Sequence, residues 1–179
     1  MKIFVATDLH GSAHWTKQVI QQFKHSHSDL LVLLGDVYNH GPRNPFPTDY
    51  APMEVAELLK GVSDKLIVVQ GNCDSAVDQM ISSFTFVSDS ILFVKGRRLF
   101  FTHGHIYNKR NLPQLNPGDV LLYGHFHQNE IAEVDGVICV NVGSAALPKD
   151  GNHSFCLVDE QGVTLKTFDG QVLAQKTFN

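Results

Sequence analysis

The sequence predicts an α/β fold in a single domain spanning residues 1–179: two mixed β-sheets packed face to face and flanked by helices. Three observations carry this prediction. Strand and helix signals alternate through the first half of the chain, and the second half is mostly short strands separated by glycine turns. No linker, internal repeat or low-complexity stretch divides the two halves.

The elements follow in order. The run from Lys2 to Thr7 is short, apolar and bounded by polar residues, as suits a strand buried on both faces. Ser12 can cap a following helix with Trp15, Val19, Ile20 and Phe23 on one face. Leu30 to Leu34 is a second strand, ended by Gly35 and Asp36, and a Pro-, Gly- and Asn-rich loop runs on to Tyr50. Pro52 suits the first turn of a helix that buries Val55, Leu58 and Leu59. Leu66 to Val69 is a third strand, ended by Gly71 and Asn72. Beyond it, Ile91–Val94 and Leu99–Thr102 flank a turn at Gly96, and Val120–Tyr123 ends at Gly124. Glu130–Val134 and Val137–Val142 are joined by Asp135-Gly136, a two-residue hairpin turn. Phe155–Val158 and Val163–Phe168 form a last pair around Gln161-Gly162.

Bulk properties exclude several classes of protein. With 43% hydrophobic and 18% charged residues the chain can bury a core, which argues against disorder. Acidic residues outnumber basic ones by 18 to 14, so no whole-chain footprint for nucleic acid is present. Cys73, Cys139 and Cys156 form no CxxC pair and are too few for a disulfide framework, which suits the reducing cytoplasm. No apolar stretch is long enough for a signal-peptide core or a membrane span. The exposed edges of two sheets would suit a homo-oligomer such as a symmetric dimer.

The chemistry lies in five short motifs, each just past the C-terminal end of an apolar strand. They are Asp8-Leu9-His10, Gly35-Asp36, Gly71-Asn72-Cys73-Asp74, His103-Gly104-His105 and Gly124-His125-Phe126-His127. Ligands gather outside the carboxyl ends of strands in open α/β sheets, so these motifs should converge. Carboxylate, imidazole and amide oxygen suit Mn²⁺, Fe, Zn²⁺ or Mg²⁺. Two ions about 3.5–4 Å apart need a bridging group, for which a carboxylate is apt. Taken singly, each motif is as readily explained by turn chemistry: Asp36 by a helix cap, Asn72 by a left-handed turn. Five in order are not.

This set resembles the calcineurin-like metallophosphoesterase superfamily, and GDVYNHGPRN with GNCD resembles its small bacterial YfcE-like phosphodiesterase branch. The resemblance runs the length of the chain and implies a four-layer α/β/β/α sandwich. It further implies that Asp8, His10 and His127 bind one metal, that Asn72, His103 and His125 bind a second, and that Asp36 bridges them. A hydroxide between two divalent ions, Mn²⁺ foremost, would then attack a small phosphodiester substrate. Asn72 is expected to contact a phosphate oxygen as well.

One departure from the superfamily pattern stands out. Where many members carry a histidine that protonates the leaving group, this chain has Cys73, a poorer donor. His105 is a candidate replacement, and Asp74, the histidine's usual partner, is free to hold a loop. In the loop after Asp36, Asn39, His40, Arg43 and Asn44 are within sequence reach of a bound phosphate, Arg43 being suited to a forked contact. Asn141, Gly143 and Ser144 are expected to form another wall. His14, His25, His27 and His153 lack any such context and read as surface or helix-face residues, while Phe126 reads as packing beneath its neighbours. The alternatives to a diesterase are a phosphomonoesterase and, from another class, a protein-binding scaffold like the small retromer subunit of this fold. Retention of all seven candidate ligands argues against the scaffold.

Overall fold

The structure is a computed structural model describing residues 1–178, in which two mixed sheets pack face to face. The first sheet is parallel on one side, through β1 (Ile3–Ala6), β2 (Leu30–Leu33), β3 (Leu66–Val69) and the short β4 (Phe86–Val87). The second sheet comprises β5 (Ser90–Val94), β6 (Arg97–Phe101), β7 (Val120–Tyr123), β8 (Asn129–Val134) and β9 (Val137–Val142), in the order β5-β6-β7-β9-β8. The chain then returns to the first sheet. There β10 (Ser154–Val158), β11 (Gly162–Thr167) and β12 (Val172–Thr177) add antiparallel beside β1, giving the order β12-β11-β10-β1-β2-β3-β4.

The unbroken apolar runs of the first half are explained by burial on both faces. Ile3 and Val5 point between the sheets, against Leu99, Phe101, Val120 and Leu122 of the second sheet. Phe4 and Ala6 point the other way, onto α1 (Ala13–His25) and α2 (Pro52–Lys60). Ser12 caps α1 through a bond from the Trp15 N–H at 3.2 Å. The fully buried stripe of α1 is Ala13, Thr16, Val19 and Phe23, so Trp15 and Ile20 lie at its margin. In α2, Val55, Ala56 and Leu59 are buried after Pro52 in the first turn. The hairpin turns at Lys95-Gly96 and Asp135-Gly136 have positive φ at both residues, the conformation that matches strand twist.

Three elements were not expected from the sequence: α3 (Ala76–Ile81), β4 and β12. All are short or peripheral. β12 has no fully buried residue and is held by pairing with β11, while α3 has none either and starts from a Ser75/Asp78 capping box. The outer layer over the second sheet also departs from a helix: Leu121, Tyr123, Val137 and Cys139 are covered by irregular chain carrying Leu112 and Leu115. Among the described residues no helix is long and apolar enough to cross a membrane.

Phe4 is fully buried, stacked on Phe155 at 4.5 Å and edge-on to Phe23 at 6.3 Å. Truncation to Phe4→Ala should leave a cavity between sheet and helices and cost about 3–5 kcal/mol. Urea unfolding would check this; a loss below about 1 kcal/mol would mean that the helices collapse onto the sheet and fill the space.

Candidate metal centre

The C-terminal ends of β1, β2, β3, β6 and β7 deliver their polar residues to one spot, those of β1, β2 and β7 through left-handed backbone. Asp8, His10, Asp36, His125 and His127 have φ of 56°, 49°, 53°, 66° and 59°. Each costs a non-glycine residue about 1 kcal/mol or more, so the surrounding fold must impose it. Close approach explains two of the glycines. A Cβ on Gly71 would lie 2.2 Å from Asp36 Oδ1, and one on Gly124 would lie 2.2 Å from Thr7 Oγ1 and 2.5 Å from Asp8 Oδ2.

The side chains form two adjoining groups. Asp8 Oδ1 faces Nε2 of His127 at 3.1 Å and Nε2 of His10 at 3.4 Å. His103 Nε2 faces Asn72 Oδ1 at 3.0 Å and His125 Nδ1 at 3.3 Å. Asp36 Oδ2 lies between the groups, 3.8 Å from His10 Nε2 and 3.5 Å from His103 Nε2. Its other oxygen accepts the Cys73 N–H at 2.8 Å. The seven residues predicted from the motifs are therefore brought together.

Their outer partners orient them. His10, His103 and His127 donate Nδ1–H to the carbonyls of Asn39, Leu34 and Leu147 at 2.8, 2.7 and 2.6 Å. That tautomer turns the Nε2 lone pairs inward, as metal-ligating histidines require. Asp8 Oδ2 is held by the Thr7 hydroxyl and the His125 N–H at 2.6 and 3.0 Å. Asp8 Oδ1 is buried and has no hydrogen-bond partner. An orphaned carboxylate oxygen among inward-facing lone pairs fits a cation, and the donor set fits two.

Electrostatics tell the same story. Burial opposes charge on Asp8, yet the imidazoles of His10 and His127 hold it well below the usual carboxylate range. Burial likewise opposes charge on Asp36, and His103 outweighs it. Burial pulls His103 down, but Asp36 and Asp8 drive it up to about 9. His10 is raised in the same way by Asp8. Burial, with His103 beside it, pushes His125 down to about 4. Without metal, protons on His10 and His103 supply the positive charge that the carboxylates need.

Asp74 ties the frame. Its carboxylate accepts the N–H groups of Asp36, Val37 and Gly71, each at 2.8 Å, joining the loops after β2 and β3. A cleft of about 710 Å³ opens over the centre, lined by Asn39, Arg43, Asn72, Cys73, Phe126 and Lys149 among others. Burial and Asp36 push the Cys73 thiol up to about 12, so it is neutral at physiological pH.

Several expectations need correction. His40 does not line the cleft; its ring stacks on Phe46 at 4.2 Å and meets Tyr50 edge-on. Asn44 lines the cleft, and its side-chain amide is spent on the His40 carbonyl at 2.8 Å. Asn141, Gly143 and Ser144 are buried behind the site and do not wall it: Ser144 Oγ donates to the Asp8 carbonyl at 3.0 Å. Phe126 is half-buried and exposes part of its ring to the cleft. His105 is exposed, with its ring 5.4 Å from that of His103 and 6.2 Å from that of His125, outside the cleft lining. His153 is half-buried, stacked on Trp15 at 3.8 Å. Lys149 was missed. It lies in a loop with no motif, and only the tertiary bond from its N–H to the His127 carbonyl brings it to the cleft.

Comparison with known proteins agrees with this geometry. A profile of the calcineurin-like phosphoesterase superfamily domain matches residues 1–162. Phosphodiesterase YfcE of Escherichia coli (strain K12) is 43% identical over 183 residues, covering 100% of this chain and 99% of the relative. A solved structure of the E. coli phosphoesterase Yfce superposes with a TM-score of 0.96 at 41% identity, covering 100% of both chains. Vacuolar protein sorting-associated protein 29 of Schizosaccharomyces pombe is 31% identical over 143 residues, covering 68% of this chain and 73% of the relative.

The raised pKa of His103 has a testable consequence. A histidine raised from 6.5 to about 9 in the folded chain stabilises it fully below about pH 6.5, and that contribution is lost as pH rises through about 9. Chelator-stripped protein should therefore lose several degrees of thermal midpoint between pH 6.5 and 9, and metal-loaded protein should lose less. Titration calorimetry should also record proton release on metal uptake near pH 7.5. A stripped protein with a level midpoint across that window would contradict the assigned charge state.

Proposed function

The chain belongs to the calcineurin-like phosphoesterase superfamily, and from that premise we propose that it hydrolyses small phosphodiesters at a centre holding two divalent ions. The observation that carries the reading is Asp36 Oδ2, which faces His10 on one side and His103 on the other. In this reading Asp8, His10 and His127 hold one ion, Asn72, His103 and His125 the other, and Asp36 both. When bound, such ions supply a water-derived nucleophile at neutral pH and neutralise charge on the phosphate oxygens.

The protein's own groups do the rest. Asn72, Arg43 and Asn39 line the cleft, which supports an amide contact from Asn72 to a phosphate oxygen and substrate contacts from Arg43 and Asn39. Phe126 offers a flat apolar surface to one ester group. No imidazole lines the cleft where the superfamily's proton donor would stand; Cys73 is there as a neutral thiol. That favours substrates whose leaving group departs without a proton, and the family branch that GNCD resembles favours diesters over the monoesterase reading. The full-length relative named a phosphodiesterase supports the same choice. Manganese is the metal we propose first, since oxygen and imidazole donors dominate the set and no thiolate is required. The free Cys73, Cys139 and Cys156 suit a cytoplasmic location.

Chelator-stripped protein given Mn²⁺ should turn over bis(p-nitrophenyl) phosphate faster than p-nitrophenyl phosphate. No turnover with Mn²⁺, Mg²⁺ or Zn²⁺ in folded protein would transfer the reading to a scaffold. Asp36→Asn should cut diester turnover by more than about a hundredfold, because losing a ligand exceeds the 10–100-fold typical of outer-shell changes. Circular dichroism should stay native in that variant, and wild-type rates from it would remove Asp36 from the centre.

Cys73→His should raise the monoester-to-diester rate ratio by about tenfold or more by restoring a proton donor. An unchanged ratio would mean that residue 73 does not face the leaving group.

A further inference from the structure

The cleft is lined by positive charge from two different loops, one after β2 and one after β9. Arg43 follows Gly41, which packs against Cys73, while Lys149 stands behind His127. Neither is engaged in an ion pair, although the chain as a whole is acidic, with a net charge of −4. Asp36 is the single acidic residue lining the cleft, and it is committed to the centre.

Lys149 is presented by a fixed backbone. His127 Nδ1 donates to the Leu147 carbonyl at 2.6 Å, the Lys149 N–H donates to the His127 carbonyl at 2.8 Å, and the Leu147 N–H donates to Ser144 Oγ at 2.9 Å. The loop is thus fastened to a candidate metal ligand on both sides. The adjacent acid forms no ion pair with it. Asp150 spends its oxygens on the N–H groups of Asn129 and Asn152, at 2.7 and 3.0 Å. The cleft, at about 710 Å³, is far larger than one phosphate group and lies in the range that encloses a nucleotide-sized ligand.

Resting on the phosphodiesterase reading, we propose that Lys149 is a specificity residue that selects diesters carrying a second phosphate group, bound away from the scissile one. The scissile phosphate has its partners at the centre, in Asn72 and in Arg43 from the loop after β2. Lys149, held by its backbone in a different loop, is left for a second anion. Phe126, on the same cleft, gives the connecting ring system an apolar surface.

Three chromogenic diesters test this in Mn²⁺-loaded protein: bis(p-nitrophenyl) phosphate, thymidine 5′-(p-nitrophenyl phosphate), and the same ester with an added 3′-phosphate. The 3′-phosphorylated ester should exceed its parent in kcat/KM by about twofold to fivefold, the scale of one exposed charge pair, and added salt should shrink the gap. Lys149→Met keeps the apolar stem and should close the gap through KM. Lys149→Glu should reverse it. Titration calorimetry with thymidine 3′,5′-bisphosphate against thymidine 5′-monophosphate reads the same preference without turnover. No gap in the wild type, a gap that survives Lys149→Met, or an equal loss on all three esters would overturn the proposal. Equal affinity for the two nucleotides would do so even if no ester were hydrolysed, whereas failure of all turnover with a retained Lys149-dependent binding preference would sink the diesterase reading alone.

Discussion

Two buried carboxylates set the terms for this structure. Asp8 and Asp36 are withdrawn from water at the junction of the two sheets, and both remain on the charged side of their titration. Buried anions this close repel each other and lack solvent, so positive charge must be supplied on the spot. Four histidines surround them, three with the inward nitrogen fixed by a carbonyl behind the ring. With metal ions present those nitrogens are lone-pair donors; without them, His10 and His103 take up protons. The centre is thus built for cations, and its empty charge state is a compromise that costs stability at alkaline pH.

The rest of the fold can be understood as the means of holding that arrangement. Parallel strands buried on both faces end on one edge, so five strand ends meet without a long insertion. The turns after β1, β2 and β7 carry left-handed residues, and the non-glycine residues that bear that strain there are candidate ligands themselves. Compensation comes from buried backbone bonds. Asp74 gathers three N–H groups from two loops, and Ser144 supports the Asp8 carbonyl from behind. Gly71 and Gly124 leave room where a methyl group would meet a ligand oxygen. Strain concentrated at functional positions, with the fold's stability elsewhere, is the expected pattern for a preorganised site.

The legibility of the sequence follows from this division. β1, β2, β3, β7 and β9 were plain in the sequence because strands buried on both faces are largely apolar, and the candidate ligands were legible because five polar motifs in order each follow such a run. α3, β4 and β12 were not plain: Val77 and Met80 are exposed on α3, and β12 depends on a neighbour's backbone rather than on its own periodicity. The loop after Asp36 was half readable. Its composition announced a turn-rich segment near phosphate, but nothing in the order Asn39-His40-Gly41 says that the His40 ring stacks on Phe46 while Arg43 stays in the cleft. Lys149 carried no signal, because its placement depends on a hydrogen bond to His127, twenty-two residues earlier in the chain.

Cys73 bears on how the chemistry is divided. Burial and the negative charge of Asp36 both oppose a thiolate there, so the group is a neutral thiol of modest size beside the centre. A neutral thiol with so high a pKa gives up a proton less readily than an imidazolium, and the candidate replacement, His105, is exposed and outside the cleft lining. Burial and His103 also lower its pKa, which reduces the protonated fraction available as an acid. In the proposed reaction the leaving group would therefore depart largely on its own stability. Discrimination among substrates then falls to what binds them rather than to what protonates them. A roomy cleft lined by Phe126 and by two cations from separate loops is suited to that task, since charge and shape can select a diester that the proton donor cannot.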